Sequence, residues 1–419
     1  MSSRYLEILR DRVVFFDGGM GTQVQARELS AEDYGGKRWD GCIDYLSLTR
    51  PDVVEDIHST YFDAGADVVE TNSFQASRTR LEEWGLGERT VELNRAAAAI
   101  ARRVADRYAA ADGRPRFVAG SMGPSGFLPS SEDPELGKLS QAELELSFRD
   151  QAQGLLEGGA DLLILETCQD MLEMKAQILA ARNAMGITGR KVPIQSSITL
   201  DPTGRMLLGT DYRGALATLE AMHVDVIGLN CSTGPDLMRD AIRYLCENAS
   251  TPVHCIPNAG LPINDGGRTL YPMRPAPFAE SLREFVLDFG VNIVGGCCGT
   301  TPEHIQRIVA AVGHGTRPRP RPWAQSLVRV ERHDRGGVGA GAPAAADRRT
   351  AEHAGLAQGQ ATGARERARG HGPDRARAGR GRRARARRVP GAHRKNRRGW
   401  TNARAGQEAG AVGGGAAVH

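Results

Sequence analysis

The sequence contains no run of 18 or more consecutive apolar residues, so we expect no membrane-spanning helix. Its first residues, MSSRYLEILRDRVVFFDGG, carry charges where a secretory signal peptide has an apolar core. The seven cysteines among 419 residues are an odd number without regular spacing, unlike the framework of a disulfide-rich secreted protein. We therefore predict a cytoplasmic protein in which clustered cysteines serve metal binding or catalysis.

Two common nucleotide-binding motifs are also missing. No segment fits the phosphate-binding pattern GxxxxGK(S/T), and the glycine-rich segment DGGMGT at 17–22 lacks the GxGxxG spacing of a dinucleotide site. By itself DGGMGT is typical of a tight turn. No Ser/His/Asp arrangement stands out either, so the candidate chemistry lies with the cysteines and carboxylates.

Charge divides the chain into two parts. The whole sequence has 54 Lys and Arg against 50 Asp and Glu. Residues 317–419 hold 24 of the basic and seven of the acidic residues, so residues 1–316 are acidic by 13 charges and the rest is basic by 17. Large apolar residues almost vanish after the proline-rich stretch RPRPRP. Because such a segment buries too little surface to offset its ordering entropy, we predict a disordered Arg/Ala/Gly-rich C-terminal tail at 317–419.

Eight short apolar runs alternate with helical patterns before the tail. Runs without two-residue alternation are typical of strands buried on both faces of a parallel sheet. Eight strand–helix units in about 300 residues predict an α/β protein with a (β/α)8 TIM barrel. A doubly wound open sheet, which normally has fewer strands, is the alternative. The predicted strands are 13–16, 67–70, 117–120, 162–166, 194–199, 226–230, 253–257 and 292–296.

Polar groups follow seven of these eight runs. In barrel enzymes the carboxyl ends of the strands form the active face, so the sequence predicts that these groups meet at one mouth. They lie at 17–22, 70–73, 121–124, 166–168, 230–231, 257–260 and 295–299.

Cys231 follows the sixth predicted strand, and Cys297 and Cys298 follow the eighth. Three thiolates with an open fourth position describe a catalytic zinc site, whereas structural sites usually have four protein ligands. Flanking glycines let the backbone turn tightly enough for adjacent cysteines to reach one ion. Ordinary buried cysteines and a vicinal redox pair remain alternatives on spacing alone. The other cysteines are interpreted as packing residues: Cys42, Cys168, Cys246 and Cys255.

Five segments resemble the homocysteine S-methyltransferase family: NIVGGCCGTTPEHI, VIGLNCSTGP, PNAGLP, FFDGGMGT and ADVVETNSF. They occur in the family's order between about 13 and 312, and are most similar to the N-terminal homocysteine-binding module of cobalamin-dependent methionine synthases. The resemblance implies a barrel at 1–316 in which Cys231, Cys297 and Cys298 hold Zn²⁺. It also implies that homocysteine binds as a zinc-bound thiolate and is methylated to methionine. Coordination suits this reaction because a free thiol is mostly protonated at neutral pH.

The resemblance implies substrate-binding residues as well. Asp17 and Glu166, at the ends of the first and fourth predicted strands, are expected to pair with the homocysteine ammonium group. Backbone N–H groups of Gly18 and Gly19 are expected to bind its carboxylate, since glycine turns form anion-binding concavities. The amide oxygen of Asn258 is expected to take the fourth zinc position when substrate is absent.

Other polar residues are less informative. Pocket-lining and purely structural roles stay open for four residues at strand ends, namely Glu70, Asn72, Asn230 and Asn258, of which Asn258 is the strongest functional candidate. Three histidines in or beside helical patterns are interpreted as packing or surface residues, namely His58, His223 and His304. His254, inside the seventh predicted strand, is left undecided.

The sequence leaves the methyl donor open. Family members use methylcobalamin, S-methylmethionine or betaine, and the nearest resemblance favours methylcobalamin. The DxHxxG signature with which a cobalamin module ligates cobalt is absent, so a methylcobalamin-carrying domain would act in trans or be missing. A hypothesis of another class is nucleic-acid binding through the basic tail. It is disfavoured because only Trp323 and Trp400 are present there to stack on bases.

A last hypothesis concerns the origin of the tail. Methionine synthases of the resembled type continue into a folate-binding domain that opens with a GERxNxxGS-like segment. One permitted codon choice for residues 345–359, read one base later, encodes LLIGERLNTQGSRK. We therefore expect 317–419 to be a frameshifted remnant of a folate-binding domain. The nucleotide sequence tests this, because an early stop in the shifted frame contradicts it.

Overall fold

The structure is a computed structural model that describes residues 3–265 and 268–320. The strands are β1 (Val14–Phe15), β2 (Val68–Glu70), β3 (Phe117–Met122), β4 (Leu162–Cys168), β5 (Ile194–Ile198), β6 (Val226–Asn230), β7 (Val253–Ile256), β8 (Ile263–Asp265), β9 (Arg268–Leu270) and β10 (Ile293–Val294). The α-helices are α1 (Arg4–Asp11), α2 (Met20–Gln25), α3 (Leu46–Thr49), α4 (Pro51–Asp63), α5 (Arg78–Glu82), α6 (Thr90–Asp112), α7 (Gln141–Glu157), α8 (Met171–Thr188), α9 (Tyr212–Ala221), α10 (Pro235–Asn248), α11 (Pro275–Glu284) and α12 (Pro302–Val312). A π-helical turn, Phe285–Phe289, follows α11 directly.

Several sequence predictions concern residues outside this description. The disordered tail at 317–419, its nucleic-acid binding and its frameshifted origin lie outside the described residues, apart from positions 317–320. All three stay predictions. Among the residues that are described, no helix is long and apolar enough to cross a membrane. The cytoplasmic location also stays a prediction.

Eight strands form one parallel sheet in the order β1-β10-β7-β6-β5-β4-β3-β2. The two ends of this order meet, because Phe16, next to β1, forms a parallel bridge with Val68 of β2. The result is a (β/α)8 barrel, which confirms the predicted fold. β8 and β9 form a separate antiparallel hairpin between β7 and α11, and the sequence analysis did not predict this hairpin.

The barrel strands are buried on both faces. Every residue of β3, β4, β5 and β6 is buried, which explains why continuous apolar runs mark them in the sequence. The predicted and observed limits of β6 agree, and β4 continues two residues beyond its predicted end, to Cys168. β1 and β10 are only two residues long, since the chain beyond them bends into loops at the barrel mouth.

Local sequence signals set the ends of several helices. α7 begins at a capping box between Ser140 and Glu143, which satisfies two backbone donors reciprocally. α4 begins with Pro51, whose missing N–H is not needed in a first helical turn. α6 ends at Gly113, which adopts a left-handed conformation with φ of 73°. These start and stop signals fix the limits of the helices that surround the strands.

Helix α1 closes the amino-terminal end of the barrel. Its residues Tyr5 and Leu9 are buried in a cluster with strand residues that include Phe117. Tyr5 donates a hydrogen bond of 2.7 Å to the side chain of Gln195, near the start of β5. The opposite end, where the carboxyl ends of the strands lie, carries the polar groups that the sequence places at one mouth.

Candidate metal and substrate site

The sulfurs of Cys231, Cys297 and Cys298 converge at the carboxyl end of the barrel. All three Sγ atoms lie within 4.8 Å of one another, and those of Cys231 and Cys298 are 3.9 Å apart. The residues are 2%, 4% and 0% exposed. Among the described residues, this is the only group of three such side chains close enough to share a metal ion. The structure therefore brings the predicted metal ligands together, while metal binding itself stays a prediction.

Backbone contacts between loops hold the paired cysteines in place. Cys297 N–H donates to Pro257 O at 2.8 Å, and Ala259 N–H donates to Cys298 O at 3.0 Å. The loop after β10 is thereby joined to the loop after β7. Cys231 has a left-handed backbone conformation, with φ of 60°, directly after β6. That conformation is uncommon for a residue with a side chain, and here it accompanies the convergence of the sulfurs.

Asn258 supports the cysteine loop through its side chain. Its Oδ1 accepts the backbone N–H of Cys298 at 3.0 Å. Its buried Nδ2 has no hydrogen-bond partner among the described residues. The amide oxygen that we expected at the fourth metal position thus serves the loop in this structure. A role as metal ligand stays a prediction.

The Cys297 thiol favours the protonated state in the absence of a metal. Hydrogen bonds with Cys231 and Cys298, together with burial, raise the pKa of Cys297 well above that of a free thiol. A metal ion must therefore displace protons to bind, as is general for cysteine ligands. Burial also raises the pKa of Tyr271, and a hydrogen bond between its side chain and Cys298 adds to the shift.

Two buried carboxyl groups at the same mouth are those of Asp17 and Glu166. Asp17 Oδ2 accepts the backbone N–H of Glu70 at 3.0 Å. Burial raises the pKa of Asp17 well above its usual range, and the nearby Glu166 carboxylate adds to this shift. Glu166 Oε1 accepts a hydrogen bond of 2.5 Å from Ser121 Oγ. Two acidic groups are thus held close together with little access to water, which favours a cationic ligand.

Asn230 connects the carboxylate to the strand that leads to Cys231. Its Nδ2 donates to Glu166 Oε2 at 2.9 Å and to Thr167 Oγ1 at 2.9 Å. Its Oδ1 accepts the Thr167 N–H at 2.8 Å and the Ser197 hydroxyl at 2.7 Å. The role that the sequence left open for Asn230 is therefore filled by structural hydrogen bonds that orient Glu166.

A small open pocket, with room of about 30 Å³, lies beside these groups, and Asp17 itself is not part of its lining. Its lining includes Cys297, Glu166 and Glu70, together with the glycine turn that contains Gly18 and Gly19. The Gly19 N–H already donates to Thr300 Oγ1 at 3.2 Å. Binding of a substrate carboxylate by Gly18 and Gly19 stays a prediction, and it requires Gly19 to exchange this partner.

Asn72 lines the same pocket and also supports a neighbouring turn, whereas the predicted packing residues serve the fold. The Asn72 side chain donates to Ile43 O at 2.9 Å and so supports the turn before α3. Burial lowers the pKa of His58 to about 4 and that of His254 to about 3. His223 is exposed, whereas His304 is buried and caps α12. The four cysteines outside the cluster are buried free thiols, namely Cys42, Cys168, Cys246 and Cys255.

Sequence reasoning missed several residues near the site. Ser121 belongs to a polar cluster that the sequence does show, at the end of the third predicted strand. Tyr271 follows the unpredicted hairpin, and its contact with Cys298 joins distant parts of the chain. Glu173 on α8 is fully buried and accepts hydrogen bonds from the N–H and hydroxyl of Ser125, at 2.7 and 2.5 Å. A single glutamate in a helical pattern carries no sequence signal for such burial.

Fold and site together define a (β/α)8 barrel with a three-thiol cluster at its active face. The chain belongs to the homocysteine S-methyltransferase family, whose profile matches residues 14–312. This match confirms the predicted family and the predicted class of methyltransferase.

Two curated relatives are methionine synthases. The chain is 45% identical over 313 residues to that of Mycobacterium tuberculosis (strain ATCC 25618 / H37Rv), and 44% identical over 317 residues to that of Mycobacterium leprae (strain TN). Each match covers 75% of this chain and 26% of the relative. The chain thus spans about a quarter of the length of the curated relatives it matches.

Solved structures of the homocysteine methyltransferase MmuM from Escherichia coli are also similar. The metallated form has a TM-score of 0.59 and 25% identity, covering 73% of this chain and 98% of that chain. The oxidized form has a TM-score of 0.60 and 24% identity, covering 74% and 99%. The similarity to the oxidized form, at 24% identity, shows that the two proteins share a fold.

Proposed function

We propose that this chain binds homocysteine at the open end of the barrel, with Zn²⁺ held by Cys231, Cys297 and Cys298, and methylates the homocysteine sulfur to give methionine. The convergence of three buried sulfurs beside a carboxylate-lined cavity carries this proposal. Cys297 and Glu166 line the same cavity, so the thiol and the ammonium group of one small amino acid have partners there. We assign this function to a module at residues 1–316.

The three cysteines fit zinc in donor chemistry and in spacing. Tetrahedral Zn–S bonds near 2.3 Å place neighbouring sulfurs roughly 3.8 Å apart. The 3.9 Å separation of Cys231 and Cys298 agrees with this value, and the third sulfur lies within 4.8 Å of both. When bound, Zn²⁺ supplies the Lewis acidity that deprotonates a thiol at neutral pH. The metallated form of the E. coli enzyme supports a metal in this family.

Asp17 and Glu166 bind the homocysteine ammonium group in this proposal. The free protein buries two adjacent acidic groups, and the raised pKa of Asp17 records the unfavourable energy of ionising it there. A cation between the two carboxylates relieves that energy. Ser121 and Asn230 fix the Glu166 carboxylate from both sides, so the ammonium group meets an acceptor that is already oriented. The amino acid is thereby placed with its sulfur toward Cys297.

The methyl donor we propose is methylcobalamin supplied by another module or protein. The similarity to two mycobacterial methionine synthases, of which this chain matches about a quarter, supports a barrel that works beside further domains. The alternative is a stand-alone methyltransferase that uses S-methylmethionine or betaine. The similarity to MmuM, of which the chain covers 98%, favours that alternative, so both are tested.

X-ray absorption at the zinc edge tests the substrate assignment. We expect three sulfur neighbours without homocysteine and four with it, near 2.3 Å as is usual for Zn–S bonds. The Glu166→Gln variant should show the same three sulfurs but require more homocysteine to reach four. A shell that stays unchanged at saturating homocysteine contradicts the proposal.

Methionine formation tests the donor. The zinc-loaded full chain is incubated with homocysteine and, in separate reactions, methylcobalamin, S-methylmethionine or betaine. We expect methionine with methylcobalamin, and none with any donor in the Cys297→Ala, Cys298→Ala double variant. Methionine formed from S-methylmethionine or betaine alone favours the stand-alone alternative. If no donor yields methionine, the chain alone is not a methyltransferase.

A further inference from the structure

Tyr271 lies beside the sulfur cluster. It follows β9 of the hairpin, is half-buried, and packs against the cluster that contains Cys231, Cys297 and Cys298. Its hydroxyl forms a hydrogen bond with the sulfur of Cys298. Its ring lies directly on Gly299, where a Cβ atom would overlap the Cβ and Cγ of Tyr271. The glycine after the paired cysteines therefore makes room for this ring.

The segment that carries Tyr271 is held on two sides. Met273 N–H donates to Ala259 O at 2.8 Å, which joins it to the loop after β7. Met273 O lies 3.1 Å from His304 Nε2, while His304 Nδ1 lies 3.0 Å from Thr301 Oγ1 at the start of α12. Burial lowers the pKa of His304, so its neutral ring accepts from Thr301 and donates to Met273. The phenol is thus fixed relative to the cysteine loop that precedes α12.

The cysteines consequently meet different surroundings. Cys297 lines the cavity in which we place the substrate, whereas Cys298 is fully buried and forms a hydrogen bond with Tyr271. This difference has a chemical consequence, because every thiolate of a metal cluster is itself a nucleophile toward an activated methyl group. An O–H group that donates to a thiolate stabilises the sulfur lone pair, and the nucleophilicity of that sulfur falls accordingly.

We propose that Tyr271 is a positioning residue that protects Cys298 from methylation, so that the methyl group is transferred to the substrate sulfur instead. This inference rests on the proposed zinc and homocysteine function. In the reaction that Tyr271 suppresses, a C–S bond forms at Cys298 Sγ and the bond between the methyl group and its carrier breaks. The electron pair leaves with the carrier, and the thiolate becomes an uncharged thioether. One such event removes an anionic ligand from the site.

Iodomethane provides the probe, since it alkylates a sulfur and releases iodide. Zinc-loaded full chain is treated for increasing times, and methylation of each cysteine is quantified by peptide mass spectrometry. In the wild type we expect Cys298 to react more slowly than Cys297. In Tyr271→Phe, which keeps the ring but loses the hydroxyl, we expect Cys298 methylation to be roughly 5-fold faster, as the loss of one hydrogen bond to a thiolate predicts. Cys231 and Cys297 should change less than about 2-fold.

Tyr108→Phe is the matched control. Its hydroxyl donates a hydrogen bond of 2.6 Å to Asp63 in the helical layer. Loss of this hydroxyl should therefore leave the rate of Cys298 methylation unchanged. The inference is overturned if Cys298 reacts at the wild-type rate in Tyr271→Phe, if all three sulfurs accelerate equally, or if that variant loses its zinc. Zinc content of the wild type separates the two proposals. A wild type without zinc contradicts the proposed function, whereas zinc binding with unchanged Cys298 reactivity contradicts only the role of Tyr271.

Discussion

Asn230 donates a hydrogen bond of 2.9 Å to Glu166 Oε2. Asn230 is the last residue of β6, and the next residue is Cys231, so one side chain joins the carboxylate to the strand that presents a sulfur. Its four hydrogen bonds occupy both the amide nitrogen and the amide oxygen. A buried hydrogen-bond network, in which the Asn230 amide cannot rotate, therefore fixes the position of the Glu166 carboxylate relative to Cys231.

Replacing Glu166 by glutamine should weaken homocysteine binding without changing zinc content. The amide oxygen of the variant can still accept from Asn230, and its NH₂ group can donate to the Ser121 hydroxyl, so the fold is retained. The loss of a charge-assisted contact should raise the homocysteine Kd roughly 10- to 100-fold. Calorimetric titration measures this, with Glu247→Gln on the exposed face of α10 as control. Equal affinity in Glu166→Gln and the wild type contradicts the role of Glu166.

Zinc binding should depend on each of the clustered cysteines. We expect one zinc per chain and at least a 100-fold loss of affinity in Cys231→Ala, Cys297→Ala or Cys298→Ala, since loss of an outer partner alone typically weakens binding about 10- to 100-fold. The fold should survive, because the large apolar core, which includes Cys168, Cys246 and Cys255, does not depend on a metal. Competition with a chromophoric chelator gives the affinities. Cys246→Ala, in α10, is the control, and full zinc occupancy in the Cys297→Ala, Cys298→Ala variant would reject the site.

Asp17→Asn should stabilise the free protein while abolishing homocysteine binding. The folded protein binds a proton at Asp17 more tightly than the unfolded chain, because burial raises the pKa of this group. Wild-type stability from this group is therefore present at low pH and is lost as pH rises above about 4, the ordinary Asp value. The neutral variant avoids this loss, so its Tm should exceed that of the wild type at pH 8, by more than it does at pH 5. Thermal unfolding at pH 5 and 8 checks the sign.

Glu173→Gln should flatten the dependence of stability on pH. Burial raises the pKa of Glu173 to about 7, against the lowering effect of its hydrogen bonds with Ser125. The stability that this group contributes is present below its unfolded pKa of about 4.5 and is lost as pH rises through about 7. At pH 8 the variant, which keeps an acceptor for Ser125, should be more stable by up to about 3 kcal/mol. Urea unfolding between pH 5 and 8 measures this. Parallel curves for variant and wild type contradict the assignment.

Much of the barrel was predictable because its strands are buried on both faces. Continuous apolar runs locate β6 to the residue, and the polar clusters after the runs place Asp17, Glu166 and the cysteines at one end. The sequence also identifies three sulfurs that the structure brings together, although Cys231 precedes the Cys297–Cys298 pair by 66 positions. Periodicity does not predict the hydrogen bonds that orient these groups.

The residues that were missed act through tertiary contacts. The strands of the β8–β9 hairpin are only three residues long and mostly polar, so no apolar run is long enough to mark them in the sequence. Tyr271 gains its contact with Cys298 only when this hairpin folds against the loop after β10. Glu173 is buried by the packing of α8 against its surroundings, which leaves no local signal in the sequence.

The two shortest barrel strands lie side by side, and β1 and β10 exchange only two pairs of partners. This pair of strands, which we call the seam, has fewer ladder hydrogen bonds than the longer pairs from β3 to β6. The seam should therefore open more readily in local unfolding of the barrel. Asp17 and Cys297 are attached to the seam, while Glu166 and Cys231 extend from the firmer side. A zinc ion and an amino acid that bind to residues on both sides would stabilise the β1–β10 pair. Local opening of the barrel should therefore be least frequent when the site is occupied.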